Sequence, residues 1–256
     1  MSNYIKKFDN YNQYKTYITG SQRKFPNVSL ADKVRYNPGA VFNANGYEYV
    51  DLGLPSGILW AKCNVGANSE TEYGNYYAWG ETGIKDSYSG ANYTLGRYNG
   101  SVAISFDRYN ETDNLKELNL EDDAAHINMG GDWMMPTVSD CNELLSNTTQ
   151  TSIITAGGVN GILFTSTVNN NTLFIPAGGY YNETSLNSSG VLVECWTASL
   201  DPAAFNGEIA FGLMVNNNNV STLTTRRYYG IPVRGIILPD IMPDLDADII
   251  VDPVFK

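Results

Sequence analysis

The first forty residues carry a different hydrophobic pattern from the rest of the chain. Tyr11, Tyr14 and Ile18 fall on one face of a helix that Asp9 or Asn10 can cap and Gly20 ends, about three turns of amphipathic helix. Alone, such a helix is barely stable. The next stretch, "FPNVSLADKVRYNP", reads as two short strands around a polar turn, closed by Asn37 and Pro38. A short helix and an isolated hairpin bury too little to make a core. Residues 1–42 are therefore expected to form an arm for attachment and oligomerisation; the competing expectation is that they pack on the chain's own globular domain.

From Tyr47 the texture is continuous. "YEYVDLG" alternates as a strand, "LPSG" is a Pro-Gly turn, and "ILWAKCNVGA" is a second apolar strand, together an opening hairpin. Residues 70–112 are rich in Tyr, Gly and Asn with little periodicity, so long loops are expected there. "NLKELNLEDDAAHI" reads as helical at its end. Thr137 and Asp140 form a capping box that starts a helix burying Cys141, Leu144 and Leu145. Short strands follow at "GILFTST", "TLFIPA", "VLVECWTAS", "GEIAFGLMV" and "IPVRGIIL", with Asn- and Gly-rich turns between them. The pattern predicts an α+β domain over residues 43–238, with twisted antiparallel sheets, two helices and long loops. Residues 239–256 form an acidic, proline-containing tail that should not continue the sheet inward, although "ADIIV" suits an edge strand added to a neighbour.

Charge narrows the partners. Only 17% of the 256 residues are charged, and the net charge is −11. Nucleic-acid binding needs clustered Lys and Arg, and Arg226 with Arg227 is too small a cluster to hold a duplex. No run approaches a membrane span, and "MSNYIKKFDNYNQY" has two lysines with no apolar segment after them, so neither a membrane segment nor a secretion signal is expected. The three cysteines, Cys63, Cys141 and Cys195, are far apart in sequence and in no Cys-x-x-Cys spacing, which suits buried reduced thiols.

Catalytic chemistry finds little footing. His126 is the only histidine; with Glu121, Asp122 and Asp123 it reads as part of a helix end, the three acids on its polar face. Nothing marks a pair of carboxylates for glycoside hydrolysis. "DLDAD" at 244–248 lacks the glycine and terminal glutamate of a calcium loop. No catalytic residue, metal site or cofactor is expected.

The segments "YVDLGLPSGILWAKCNVGA", "YGNYYAWGET", "EDDAAHINMGGDWMMPT", "GVNGILFTS", "LFIPAGGY", "CWTAS" and "YYGIPVRGI", in this order over residues 47–237, resemble the Fibrobacter succinogenes major paralogous domain. That family is similar to the formylglycine-generating branch of the C-type-lectin-like fold. The resemblance implies a C-type-lectin-like domain in which Trp133, Pro136 and Thr137 keep a structural role, Trp133 in the core; Met134 stands where the look-alikes have arginine. It also implies a discrepancy, because the enzyme branch uses two nearby cysteines to bind copper and Cys195 has no second thiol near it in sequence. The sugar-binding calcium motifs of true C-type lectins are absent as well.

The predicted loops offer surface instead. Tyrosine supplies contact area at low entropic cost, and Asn, Ser and Gly supply adaptable hydrogen bonds, the mixture that works in antibody paratopes. A ligand face is expected from Tyr76, Tyr77 and Trp79, from Tyr180 and Tyr181, and from Asn216, Asn217, Asn218 and Asn219 with Arg226, Tyr228 and Tyr229. The N-terminal segment is similar to attachment arms in structural proteins of crAss-like Bacteroides phages. This implies a non-enzymatic virion protein, a head fibre or tail-associated decoration assembled in the host cytoplasm as a homo-oligomer, a trimer rather than a dimer. The arm would meet a capsid or tail protein and the lectin-like domain a host surface glycan. The alternative is a soluble bacterial enzyme or binding protein of the formylglycine-generating-enzyme-like superfamily.

Overall fold

A computed structural model describes residues 43–155, 157–201, 207–216 and 219–238; the expected arm and acidic tail lie outside the described residues. The described chain begins with β1 (Asn43–Ala44), β2 (Tyr47–Asp51), β3 (Leu59–Asn64), β4 (Tyr76–Tyr77), β5 (Gly96–Asn99) and β6 (Val102–Phe106). Two helices follow, α1 (Ala124–Met129) and α2 (Val138–Ser146), and then β7 (Thr148–Ile154), β8 (Asn160–Ser166) and β9 (Thr172–Pro176). The remainder is β10 (Tyr180–Asn182), β11 (Ser185–Asn187), β12 (Val193–Leu200), β13 (Ile209–Asn216), β14 (Asn219–Arg226), β15 (Ile231–Pro232) and β16 (Arg234–Ile237). All named strand pairs are antiparallel, so the expected α+β class with antiparallel sheets and two helices holds for the described residues. None of their helices is long and apolar enough to cross a membrane.

The opening hairpin forms as the alternation requires, with Val50 opposite Trp60 and Asp51 opposite Leu59. Pro55 enters its turn, which closes with Gly57 N–H donating to Leu54 O at 2.8 Å, and Gly57 takes φ 75°, a conformation that favours glycine. The chain's last described strand returns to this hairpin, giving the order β1-β2-β3-β16. Successive residues of β3 and β16 point to opposite faces, as strand geometry dictates. Trp60 and Ile236 join one apolar cluster with Cys141, Leu144, Phe164, Cys195 and Leu213. Leu59, Ala61 and Ile237 join a second, with Trp79, Trp133, Met135, Trp196 and Ile231. The sheet is thus covered on both sides, and β12 contributes to both clusters by the same alternation.

Thr137 caps α2 as expected. Its N–H donates to Asp140 Oδ2 at 2.9 Å while Asp140 N–H donates to Thr137 Oγ1 at 3.3 Å, an exchange that stabilises a helix start by about 1 kcal/mol. Cys141 and Leu144 are buried beneath this helix, and Leu145 packs half-buried at the edge. Trp133 is fully buried, and its indole N–H donates to Ala44 O at 2.9 Å. Met134 exchanges backbone hydrogen bonds with Ile236.

Two buried arginines have no carboxylate in salt-bridge contact among the described residues. Arg234 donates through Nε to Asn64 Oδ1 at 2.8 Å, through Nη1 to Ala61 O at 2.9 Å and through Nη2 to Phe174 O at 3.1 Å. Arg227 donates through Nε to Tyr93 Oη at 2.9 Å and through its other nitrogens to the carbonyls of Tyr109, Gly207 and Arg108. Its guanidinium lies 4.4 Å from the Phe106 ring centre and 4.8 Å from that of Trp79. Planar, weakly hydrated guanidinium suits this role, because five fixed donors can be met by carbonyls and rings.

Three expectations are corrected. Residues 70–112 hold β4 and the β5–β6 hairpin; β6 escapes pattern reading because its apolar Val102 and Ile104 face solvent while Phe106 packs inward. β7 and β14 were not expected as strands either, since "TTQTSII" and "NVSTLTTR" are rich in Thr and Ser and show no polar–apolar alternation. Asp123 does not occupy a polar helix face. It is the buried N-cap of α1, accepting from His126 N and Met135 N at 2.9 and 2.7 Å, and burial pushes its carboxyl up to about 6.

Candidate functional site

Three of the Tyr-rich segments do converge. β4 pairs with β15, Tyr77 opposite Ile231, and β10 is bridged to both neighbours: Tyr181 exchanges backbone hydrogen bonds with Gly230, and Glu183 with Tyr88. Tyr76 Oη donates to Gly178 O at 2.7 Å and lies edge-on to Tyr181, ring centres 4.8 Å apart. Tyr180 and Tyr229 stack at 5.2 Å with an interplanar angle of 20°, and Tyr228 meets Tyr229 edge-on at 5.1 Å.

Burial divides the expected face. Trp79 is fully buried, its Nε1 donating to Thr197 O at 2.8 Å, and Tyr77 is buried beside it. Both are core residues, and their placement in a ligand face is corrected: Trp79 is needed as a wall of the Arg227 nest. Tyr228 is also almost closed off, its ring edge against Tyr98. The asparagine run is corrected too. Asn216 and Asn219 pair at the far end of the β13–β14 hairpin, about 23 Å along β14 from Arg226 at ~3.3 Å per residue. Asn217 and Asn218 lie outside the described residues.

What remains at the surface is Tyr180, Tyr181 and Tyr229, each half-buried, with Arg226 at the end of β14. Of these, Tyr229 and Arg226 line a cleft of about 520 Å³, together with Ser89, Ser101, Asn182 and Tyr228 among others. Asn182 and Glu183, at the end of β10, are exposed polar residues that sequence reading did not single out. Their signal was visible only as the polar step after the Tyr180-Tyr181 pair. Arg226 is held by Nη1 alone, which donates to Ser101 O at 2.6 Å and Tyr228 Oη at 2.9 Å and lies 3.4 Å from Glu208 Oε1. Its Nε and Nη2 have no protein partner among the described residues. A second hollow of about 470 Å³ lies beside β6, lined by Val102, Ile104, Phe106, Glu111 and Glu208; it lacks both a tyrosine platform and a cation.

Glu194, on β12, is buried near enough to Tyr229 to raise its hydroxyl beyond what burial does. Its side chain is 2% exposed and its Oε1 accepts no hydrogen bond. Burial pushes this carboxyl up to about 8, and no cation among the described residues offsets it. Cys141 and Cys195, distant in sequence, share one apolar cluster, and Cys195 lies close enough to raise the Cys141 thiol further. Burial pushes the Cys195 thiol up to about 12 and Cys141 well above its usual range, so neither supplies a thiolate readily. Among the described residues no group of three or more His, Cys, Asp and Glu is placed to hold a metal ion. Compared with protein-family models, curated proteins and solved structures, the chain matches none of them.

Proposed function

We propose that the chain is a non-enzymatic carbohydrate-binding protein whose ligand lies across Tyr180 and Tyr229 and reaches Arg226. The observation that carries this reading is the pairing, at one open cleft, of half-buried Tyr229, stacked on Tyr180, with Arg226, whose Nε and Nη2 have no protein partner among the described residues. Tyrosine faces cover the apolar side of a sugar ring while amide and guanidinium donors bond its hydroxyl or acidic groups. The cleft is shallow, so affinity per site is weak and is raised by oligomeric multivalency.

The domain is read as C-type-lectin-like, supported by an opening hairpin that pairs with the closing strand, two helices between the flanking sheets, and the Trp133–Thr137 entry into α2. The resemblance to phage structural proteins supports the reading of a virion protein, a head fibre or tail-associated decoration, with residues 1–42 as the attachment arm to a capsid or tail protein and a trimer as the oligomer. A glycan array probed with the full chain and with Arg226→Ala tests the binding reading. Retained signal in the wild type and at least tenfold loss in the variant are expected; an array on which both bind alike removes it. Immunogold labelling of purified particles tests the location.

A further inference from the structure

β6 pairs with β5 and with no other strand, so one of its edges is open among the described residues. Asn99 and Val102 close the two-residue turn of this hairpin as a hydrogen-bonded pair, and the backbone N–H and C=O of Ala103, the next residue, therefore point away from β5. The register shift beside Arg97 leaves Ile104 with no residue opposite, a bulge on the same edge strand. Val102 and Ile104 are each 67% exposed, although an edge strand is ordinarily protected by charge, proline or a covering segment. The hollow of about 470 Å³ runs along this edge: all five residues of β6 line it, together with Asn110, Glu111, Thr112 and Glu208. Its two ionisable residues are both acidic. Glu208 Oε1 is shut from water without a hydrogen bond, 3.4 Å from Arg226 Nη1.

An open edge with a hollow along it takes an extended segment, through backbone hydrogen bonds and alternate side chains. Charge selects between the two segments that lie outside the described residues. Residues 239–256 carry five Asp and one Lys, whereas residues 1–42 carry seven Lys and Arg and two Asp. The acidic tail would set like charge against Glu111 and Glu208; the N-terminal segment sets opposite charge there. Within it, "DKVRY" at 32–36 alternates, with Lys33 and Arg35 on one face of a strand and Val34 and Tyr36 on the other. We propose that residues 32–36 add to β6 as a third strand of the β5–β6 sheet, with Val34 and Tyr36 against Val102 and Ile104 and with Lys33 and Arg35 toward Glu111 and Glu208. This interaction is independent of the glycan reading, and it gives the proposed arm a seat on the domain, its own or a neighbouring copy's.

Hydrogen exchange of the full chain, read by mass spectrometry, tests this seat. The β6 amides are expected to exchange slowly in the wild type. Lys33→Glu together with Arg35→Glu should speed them at least tenfold, while the amides of β3 keep their rate and report an intact fold. Adding Glu111→Lys to that pair should slow β6 again, because the opposite charges are restored with their signs exchanged. Equal β6 exchange in the wild type and the double variant overturns the proposal. So does faster exchange on Ile250→Asp with the double variant silent, which gives the edge to the acidic tail. Sedimentation of the same samples identifies the donor: a smaller mass for the double variant means a neighbouring copy's segment, an unchanged mass means the chain's own, and both keep the seat.

Discussion

Arg227 and Glu194 are both shut away from bulk water, yet they are treated in opposite ways. Every nitrogen of Arg227 donates, to a tyrosine hydroxyl or to backbone carbonyls, and four aromatic rings lie around it. Glu194 has an oxygen with no partner and only burial acting on it. A charge kept for the fold is enclosed by its own partners, since an unmet charge costs several kcal/mol; a carboxyl enclosed without them is held in its neutral form instead. Arg226 sharpens the contrast. One position before Arg227 on the same strand end, it points the other way, and two of its nitrogens remain open at the cleft.

The contrast breaks first at Arg227. Arg227→Ala removes a large buried side chain and strands its acceptors, so a loss of about 5 kcal/mol is expected by denaturant unfolding. A loss below ~2 kcal/mol would mean that the nest is dispensable. Glu194→Gln comes next, and its sign depends on pH. The folded-state value of about 8 lies above the ordinary 4.5, so the group's contribution is full below pH 4.5, falls as pH rises, and is lost once pH passes about 8. Relative to wild type, the variant should therefore gain about 5 kcal/mol between pH 4 and pH 9; parallel stability curves would contradict an unpaired buried acid.

Smaller effects test the open side. Arg226→Ala should change stability by less than about 1 kcal/mol, because its ion pair with Glu208 is long and partly solvated, while glycan binding falls at least tenfold. Smallest of all is Trp60→Phe. The Trp60 indole nitrogen is buried without a partner, so loss of packing and removal of an orphan donor offset each other to within about 1 kcal/mol, measured by melting.

Local signals carried most of the fold. The Pro55 to Gly57 turn, the Thr137 and Asp140 capping box, and the apolar runs of β3, β8, β9 and β12 were legible because short-range chemistry sets them. β6 and β14 were not, since solvent-facing Val102 and Ile104 and the hydroxyl-rich face of β14 follow no core pattern. The site was legible only as a set of tyrosines in separate segments. Which of them turn inward is decided by β4–β15 pairing across 154 residues, Tyr77 to Ile231, and nothing near Trp79 in sequence announces that it walls an arginine. Glu194 was hidden by its own neighbours: between Val193 and Cys195 it reads as one polar position in a core strand.

The binding claim is tested most directly by hydroxyl-radical footprinting of the full chain with and without the strongest-binding glycan from the array. Protection of Tyr180 and Tyr229, with the tyrosines at 47 and 73 unchanged, is the predicted result. Protection confined to the Asn216–Asn219 end of the β13–β14 hairpin, with Tyr180 and Tyr229 still reactive, would contradict the account.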